Sequence, residues 1–361
     1  MNILHATQAY ERWSARQVPF LPADLRLKHA MMAQSPFSFL RATCYRWMQV
    51  WPEVCADLTA APALRVVADL HVENFGTWRD SEGRLIWGIN DFDEAGVFPY
   101  ASDLVRLVVS AKLAGRAEHL AVKMEEACDA VLSGYLEGLQ AGGRPFVLSE
   151  QHAWLREIAT NSLRDPVRFW KKMTALPMVQ DTVPQEVTNA LERVMPEAGV
   201  SYSLRRRVSG LGSLGRPRVV ALAEWRGGKI AREAKRLIAS AGLWARGQKP
   251  NGTVLYQSML EQSVRCRDPF VGMEGQWLLR RLSPYCSRIE VTALPRKRDE
   301  GKLLYAMGWE TANVHLGDQA QIKAVQRDLA RRKSAWLRKA AKAMAKAILA
   351  DWKDWAAHYA E

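Results

Sequence analysis

Two short apolar runs, each ending in oxygen-bearing side chains, constrain this chain more than any other feature. The first is Val66-Val67-Ala68-Asp69-Leu70-His71-Val72-Glu73-Asn74-Phe75-Gly76, and the second is Ile86-Trp87-Gly88-Ile89-Asn90-Asp91-Phe92-Asp93-Glu94. A β-branched apolar run predicts a buried strand whose last residues emerge together at a sheet edge. Thr77 to Arg84 supplies turn residues between the runs, so the spacing predicts a hairpin that gathers Asp69, Asn74 and Asp91. Taken singly, each of the three is an ordinary turn former. In this order they meet the needs of phosphoryl transfer from a nucleotide. One aspartate takes the proton of an attacking hydroxyl, while an asparagine five residues on and a later aspartate hold the Mg²⁺ that bridges the phosphates.

At 361 residues and 48% hydrophobic content, the chain can bury a core large enough for two domains or lobes. Its 51 Lys and Arg against 38 Asp and Glu leave a net charge of +13. Such a field favours anionic partners without choosing among nucleotides, nucleic acid and an acidic membrane surface. Cys44, Cys55, Cys128, Cys266 and Cys286 are spaced singly, which argues against a structural zinc site or a disulfide framework and for a reduced, cytoplasmic setting. No apolar run is as long as a membrane span, and Met1 to Ala6 lacks a signal-peptide layout.

Residues 1 to 60 predict helices separated by turns at Pro19, Pro22 and Pro36, with the aromatics of Phe37 to Trp47 as core. Ala101 to Ser110 predicts a helix in which Ser102 or Asp103 is the cap, or Asp103 turns back to hold the loop carrying Asp69. Residues 113 to 198 are expected to be largely helical, Leu120 being part of the pattern and His119 and His152 having no assigned role. Ser201 to Ser209 alternates like a strand and leads into Gly210-Leu211-Gly212-Ser213-Leu214-Gly215, after which Arg218 to Trp225 forms a second strand. A dinucleotide-binding turn must instead open a helix. Strands on both sides suit a glycine loop that covers ATP phosphates with backbone N–H groups, the alternative being a plain glycine-rich hairpin. A third strand, Lys229 to Lys235, carries Arg232 where a phosphate-binding cation is expected, with Lys229 and Lys235 nearby. Gly275 to Leu282 predicts one more strand, with Arg280 or Arg281 facing the site. Lys302 to Gly317 predicts a helix, and the rest, to Glu361, a long basic one. Its stripe of Leu329, Trp336, Met344, Ile348, Trp352 and Trp355 suits core packing better than contact with nucleic acid or membrane.

Together these motifs resemble the bacterial domain-of-unknown-function 2252 family, a relative of the protein-kinase and aminoglycoside-phosphotransferase superfamily. The likeness rests on Ser35 to Arg41, on Asp69-Leu70-His71 with Asn74-Phe75-Gly76, on Asn90 to Glu94, on Asp103-Leu104 with Arg106-Leu107, and on Val208 to Gly215. It implies that Asp69 is the catalytic base, that Asn74 and Asp91 bind Mg²⁺, and that Asp103 braces the catalytic loop. It further implies contacts to ATP from Gly210, Gly212, Ser213, Gly215, Arg232 and Glu233. Two positions depart from the family pattern: Ala68 stands for glycine and Arg232 for lysine, and a planar guanidinium reaches a phosphate differently from an ammonium.

The fold implied is α+β and kinase-like, with two lobes. Because Gly210 follows Asp69 by 141 residues, whereas ordinary kinases place the glycine loop first, the order implies circular permutation. Residues 1–198 would then form a helical lobe with the catalytic and metal-binding loops, 199–295 a small β-rich nucleotide-binding lobe, and 296–361 helices returning to the large lobe. The expected activity is ATP- and Mg²⁺-dependent phosphate transfer to a hydroxyl of a small molecule or protein. One alternative is a nucleotide-binding pseudokinase or interaction module, suggested by Arg232 and the basic C-terminus. A more distant one is a metal-dependent phosphoesterase, suggested by the D-x-H of Asp69-Leu70-His71 but requiring further histidines.

Overall fold

A computed structural model describes residues 1–115, 122–160, 165–180, 182–286 and 299–359, so that His119 and Leu120 lie outside the described residues. The architecture is α+β, with helices making up close to half of the described residues. Helices α1 (Ile3–Ala15), α2 (Pro22–Gln34), α3 (Pro36–Ala42) and α4 (Cys44–Val54) come first. Pro22 and Pro36 each occupy the first helical position, where the missing N–H has no intrahelical acceptor to lose. Strands β1 (Ala63–Val66), β2 (Phe75–Arg79), β3 (Leu85–Ile89) and β4 (Gly96–Pro99) follow, then helices α5 (Ala101–Gly115) and α6 (Met124–Gln140). Strand β5 (Phe146–Val147) precedes α7 (Ala153–Ala159), α8 (Pro166–Thr174) and α9 (Gln185–Arg193). The β-rich part holds β6 (Tyr202–Arg206), β7 (Arg218–Trp225), β8 (Gly228–Arg236), α10 (Ala241–Ala245), α11 (Tyr256–Gln262), β9 (Val271–Glu274) and β10 (Trp277–Leu282). Helices α12 (Glu300–His315), α13 (Gln319–Arg331) and α14 (Trp336–His358) close the chain.

The described strands form three antiparallel sheets, ordered β1-β4, β2-β3-β5 and β6-β7-β8-β10-β9. A hairpin does form, β2 against β3 from Phe75 opposite Ile89 to Arg79 opposite Leu85, but Thr77 to Arg79, expected in the turn, belong to its first strand, and Asp80 to Arg84 make the turn. The apolar run before Asp69 pairs elsewhere, Val66 lying opposite Gly96 of β4. Val67 to Asn74 is therefore a loop between two sheets. In the five-stranded sheet, α9 covers one face with Val187, Ala190 and Leu191 against Ala221, Ala234 and Leu279. Helix α8 covers part of the other, with Met173 against Val220, Leu222, Ala231 and Leu282. Both helices precede residue 199 in the chain.

Helix α5 runs through the main core, buried along almost its whole length, among Phe39, Trp47, Trp51 and Tyr135. Glycines let α6 and α12 approach backbone to backbone. A Cβ at Gly134 would stand 1.9 Å from the Tyr305 carbonyl oxygen, and one at Gly308 would stand 2.1 Å from that of Val131. The single C-terminal helix expected from sequence is two, broken at Arg332, whose backbone is extended (ψ 140°). There the Arg332 guanidinium folds back on Asp328 at 2.6 and 3.0 Å, and Asp328 also accepts the Tyr100 hydroxyl at 2.7 Å. The tryptophan stripe packs inward: Trp352 and Trp355 donate their indole N–H groups to the carbonyls of Ala33 and His29, each at 3.2 Å. Among the described residues no helix is long and apolar enough to cross a membrane.

Candidate functional site

The loop after β1 is held from below. Asp103, in the first turn of α5, accepts the backbone N–H of Val67 at 2.8 Å and of Ala68 at 2.9 Å. Its Oδ2 also lies 3.1 Å from His315 Nε2 on α12, and His315 Nδ1 pairs with the Tyr135 hydroxyl at 2.8 Å. Of the two roles open to Asp103 in the sequence, the structure selects the brace of the loop. Ala68 adopts φ +67°, the left-handed region that suits glycine, the residue of the family pattern at this position. That turn lifts Asp69 out of the core.

Asp69 is gripped by the buried guanidinium of Arg106, one helical turn after Asp103 on α5. Arg106 also donates to the Leu40 carbonyl at 2.8 Å and stacks 5.0 Å from the Trp47 ring centre. Burial pushes the Asp69 carboxyl up to about 7 despite the pull of Arg106, with Glu94 and Asp91 adding to the rise. A carboxylate in that range exchanges protons near neutral pH, as a general base must.

Asn74 closes the same loop. Its Oδ1 accepts the His71 N–H at 2.6 Å, and its backbone carbonyl accepts the Asn90 N–H at 2.9 Å, tying the loop to the end of β3. Asp91 and Asp93 follow directly. Lys235 of β8 forms an ion pair with Asp93 and lies 3.9 Å from Asp91 Oδ1. Burial and the neighbouring Asp93 raise the Asp91 carboxyl, whereas Lys235 overcomes burial and holds Asp93 below the usual carboxylate range. Asp93 Oδ1 is buried and finds no hydrogen-bond partner among the described residues. Oxygen donors from Asn74, Asp91 and Asp93, one of them unsatisfied, suit a hard divalent cation such as Mg²⁺. Among the described residues no three His, Cys, Asp or Glu side chains are arranged to hold a metal, so the ligand set of a two-metal phosphoesterase is not found there.

The glycine loop joins β6 to β7, as expected, and Leu211 to Ser213 make a single tight turn within it. A Cβ added at Gly212 would stand 3.5 Å from Asp69 Oδ2 and 3.1 Å from the Arg41 carbonyl. Carboxylate and glycine loop therefore meet. Gly210, Gly212 and Ser213 line a cavity of 690 Å³ together with Asp69, Asn74, Asp91 and Asp93. Such a volume lies within the usual range for small-molecule and cofactor sites. Gly215 faces away from it: its carbonyl accepts the Leu21 N–H at 2.8 Å, and Phe20 occupies the space a side chain would need.

Strand parity corrects the expected cation. Arg232 lies on the face of β8 turned toward α9, where it donates to the Val194 carbonyl at 2.8 Å and stacks 5.0 Å from Phe270. Lys235, three residues later and on the opposite face, reaches the cleft instead. Glu233 shares that face but lies beneath the wall, fully buried under Arg207, Arg218 and Arg280. Of the two arginines expected on β10, Arg280 lines the cleft while Arg281 turns to Asp268 and Phe270. The sequence assigned no role to Asp93, Arg106, Arg207, Arg216 or Arg218. Counting by twos from Lys235 would have exposed Glu233 and, across the register, Arg218.

Residues 20–195 match the model of a family described as "Uncharacterized protein conserved in bacteria (DUF2252)", which supports that resemblance over the helical part and the loop carrying Asp69. No curated protein and no solved structure matches the chain.

Proposed function

We propose that this protein is a Mg²⁺-nucleotide-dependent phosphotransferase with a permuted, kinase-like arrangement, acting on a hydroxyl of a small molecule or protein. The observation that carries the proposal is the close approach of Gly212 to Asp69, since two motifs whose first residues, Asp69 and Gly210, are 141 positions apart in sequence line one cleft. Asp69 holds and orients the acceptor hydroxyl and takes its proton, while Arg106 fixes the carboxylate's direction. The glycine loop covers the phosphates, and its missing side chains admit them close to the backbone. Asn74, Asp91 and Asp93 would hold Mg²⁺, which when bound neutralises phosphate charge. Lys235 supplies the neighbouring positive charge that the family pattern assigns to the position of Arg232.

A second reading has its own observation. Arg106 occupies one oxygen of the candidate base, which suits a protein that binds nucleotide without transferring phosphate. Thermal unfolding with a panel of nucleotides, with and without Mg²⁺, tests both, because a ligand selective for the folded state raises the Tm. A rise for one nucleoside triphosphate that needs Mg²⁺ is expected. Indifference to every nucleotide sinks both readings. Release of the nucleoside diphosphate that disappears in Asp69→Asn, with the Tm rise retained, selects the enzyme over the nucleotide-binding module.

A further inference from the structure

The inner face of the five-stranded sheet carries a group of cations that the catalytic scheme does not use. Register aligns Val220 of β7, Glu233 of β8 and Arg280 of β10, with Arg218 opposite Lys235 two pairs further along, on the same face. Arg207 Nη1 meets Glu233 Oε1 and Arg280 Nε meets Oε2, each at 2.5 Å, while Arg218 Nη1 lies 3.4 Å from Oε1. Glu233 itself is wholly buried, whereas Arg207 and Arg280 remain 22% and 23% exposed toward the cleft they line. The carboxylate thus acts as a rack. It neutralises one of three guanidiniums and fixes the direction of the others.

Arg207 and Arg280 each use one N–H on Glu233, and no other protein acceptor for their side chains is found among the described residues. Because they hold different oxygens of the same carboxylate, their remaining N–H edges leave Glu233 on different sides. Two neighbouring anionic groups would be served, one by each guanidinium. Arg218 also donates to Ser213 Oγ at 3.1 Å, which seats the glycine loop over the same group. Across the cleft, eight Lys and Arg face five carboxylates, six with Glu233, so a surplus of two positive charges remains among the described residues. Planar guanidiniums grip phosphoryl oxygens with parallel N–H bonds, which makes arginine the suited residue for such anions.

We infer that Arg207, Arg218 and Arg280, racked on Glu233, form a binding site for the adjacent phosphoryl groups of a polyphosphate chain. The inference rests on the proposed nucleotide site in taking that chain to be the nucleotide's own, but the anion site can be tested by itself.

Calorimetric titration of the full chain with sodium tripolyphosphate, without Mg²⁺ and at fixed ionic strength, reads the site directly. Arg207→Met and Arg280→Met should each weaken binding about ten- to hundredfold, the usual range for a lost charge-assisted hydrogen bond. Arg232→Met, on the opposite face, should leave it unchanged. Absence of binding by the native chain, or unchanged affinity in both cleft variants, overturns the proposal. Should Arg280→Met fail to fold, the more peripheral Arg207→Met decides alone. Competition identifies the source of the anion: displacement of tripolyphosphate by ATP but not by AMP assigns the site to the nucleotide. If ATP does not compete while the arginine dependence persists, the polyphosphate site stands and the nucleotide reading fails.

Discussion

Ala68 and Asp69 show how one backbone turn sets the chemistry of the candidate site. A non-glycine residue at φ +67° carries strain of order 1 kcal/mol or more, tolerated here because Asp103 holds the Val67 and Ala68 N–H groups. Ala68→Gly removes that strain at the cost of a more flexible unfolded chain, so a net gain of about 0.5 to 1 kcal/mol in urea unfolding is expected. A loss of stability would show that the turn is not strained. At Asp69 the sign follows from the direction of the shift. Its folded-state carboxyl lies near 7, above the unfolded value, so its contribution to stability is fully present at acid pH and is lost as pH rises through about 7. The proposed catalysis would run the other way, because a base must be deprotonated. The transfer rate should therefore climb as pH passes about 7, and a flat profile between pH 5 and pH 9 would remove Asp69 from that role.

Between elements, two close approaches carry the arrangement. Helices α6 and α12 touch through Gly134 and Gly308, and α12 brings His315 to Asp103. Gly308→Ala sets a methyl against the Val131 carbonyl and must part the helices, at about 1 to 3 kcal/mol or more. Chemical denaturation reads this directly, and a neutral result would mean that the crossing is looser than described. Within the sheet, the alternation of β8 sorts its charges. Lys235→Met should reduce the Tm rise expected with Mg²⁺-nucleotide under the proposed function, whereas Arg232→Met should keep it. The reverse pattern would restore Arg232 to the cleft.

On the scale of the whole molecule, the N-terminal helices fasten the glycine loop to the rest of the protein. Lys28 of α2 donates to the Gly212 carbonyl at 3.1 Å, Leu21 donates to that of Gly215, and Asp24 pairs with Arg206 at the end of β6. Arg216, just past the loop, reaches Glu94 at 3.2 Å and the Tyr10 hydroxyl at 3.3 Å. A loop tied at several points should open as a unit. Lys28→Met is expected to speed amide hydrogen exchange at residues 210–216 while leaving α5 and α12 protected. Equal exchange in both proteins would show that the tether to Lys28 does not restrain the loop.

Local chemistry was legible in the chain itself. Proline fixed the starts of α2 and α3, alternation over Ser201 to Ser209 marked β6, and the turn residues Asp80 to Arg84 gave the β2–β3 hairpin, because each depends on residues close in sequence. Asp69, Asn74 and Asp91 stood out for the same reason: their spacing is a local property. Which side chains share the cleft was not local. Arg232 and Lys235 lie three residues apart on one strand, and only the placement of α9 against one sheet face and of Asp91 and Asp93 near the other decides which cation enters the cleft. Likewise the meeting of Gly212 with Asp69, the clamp of Arg106 and the rack of Glu233 arise from contacts between distant segments. Short-range periodicity carries no record of them, and packing in three dimensions creates them.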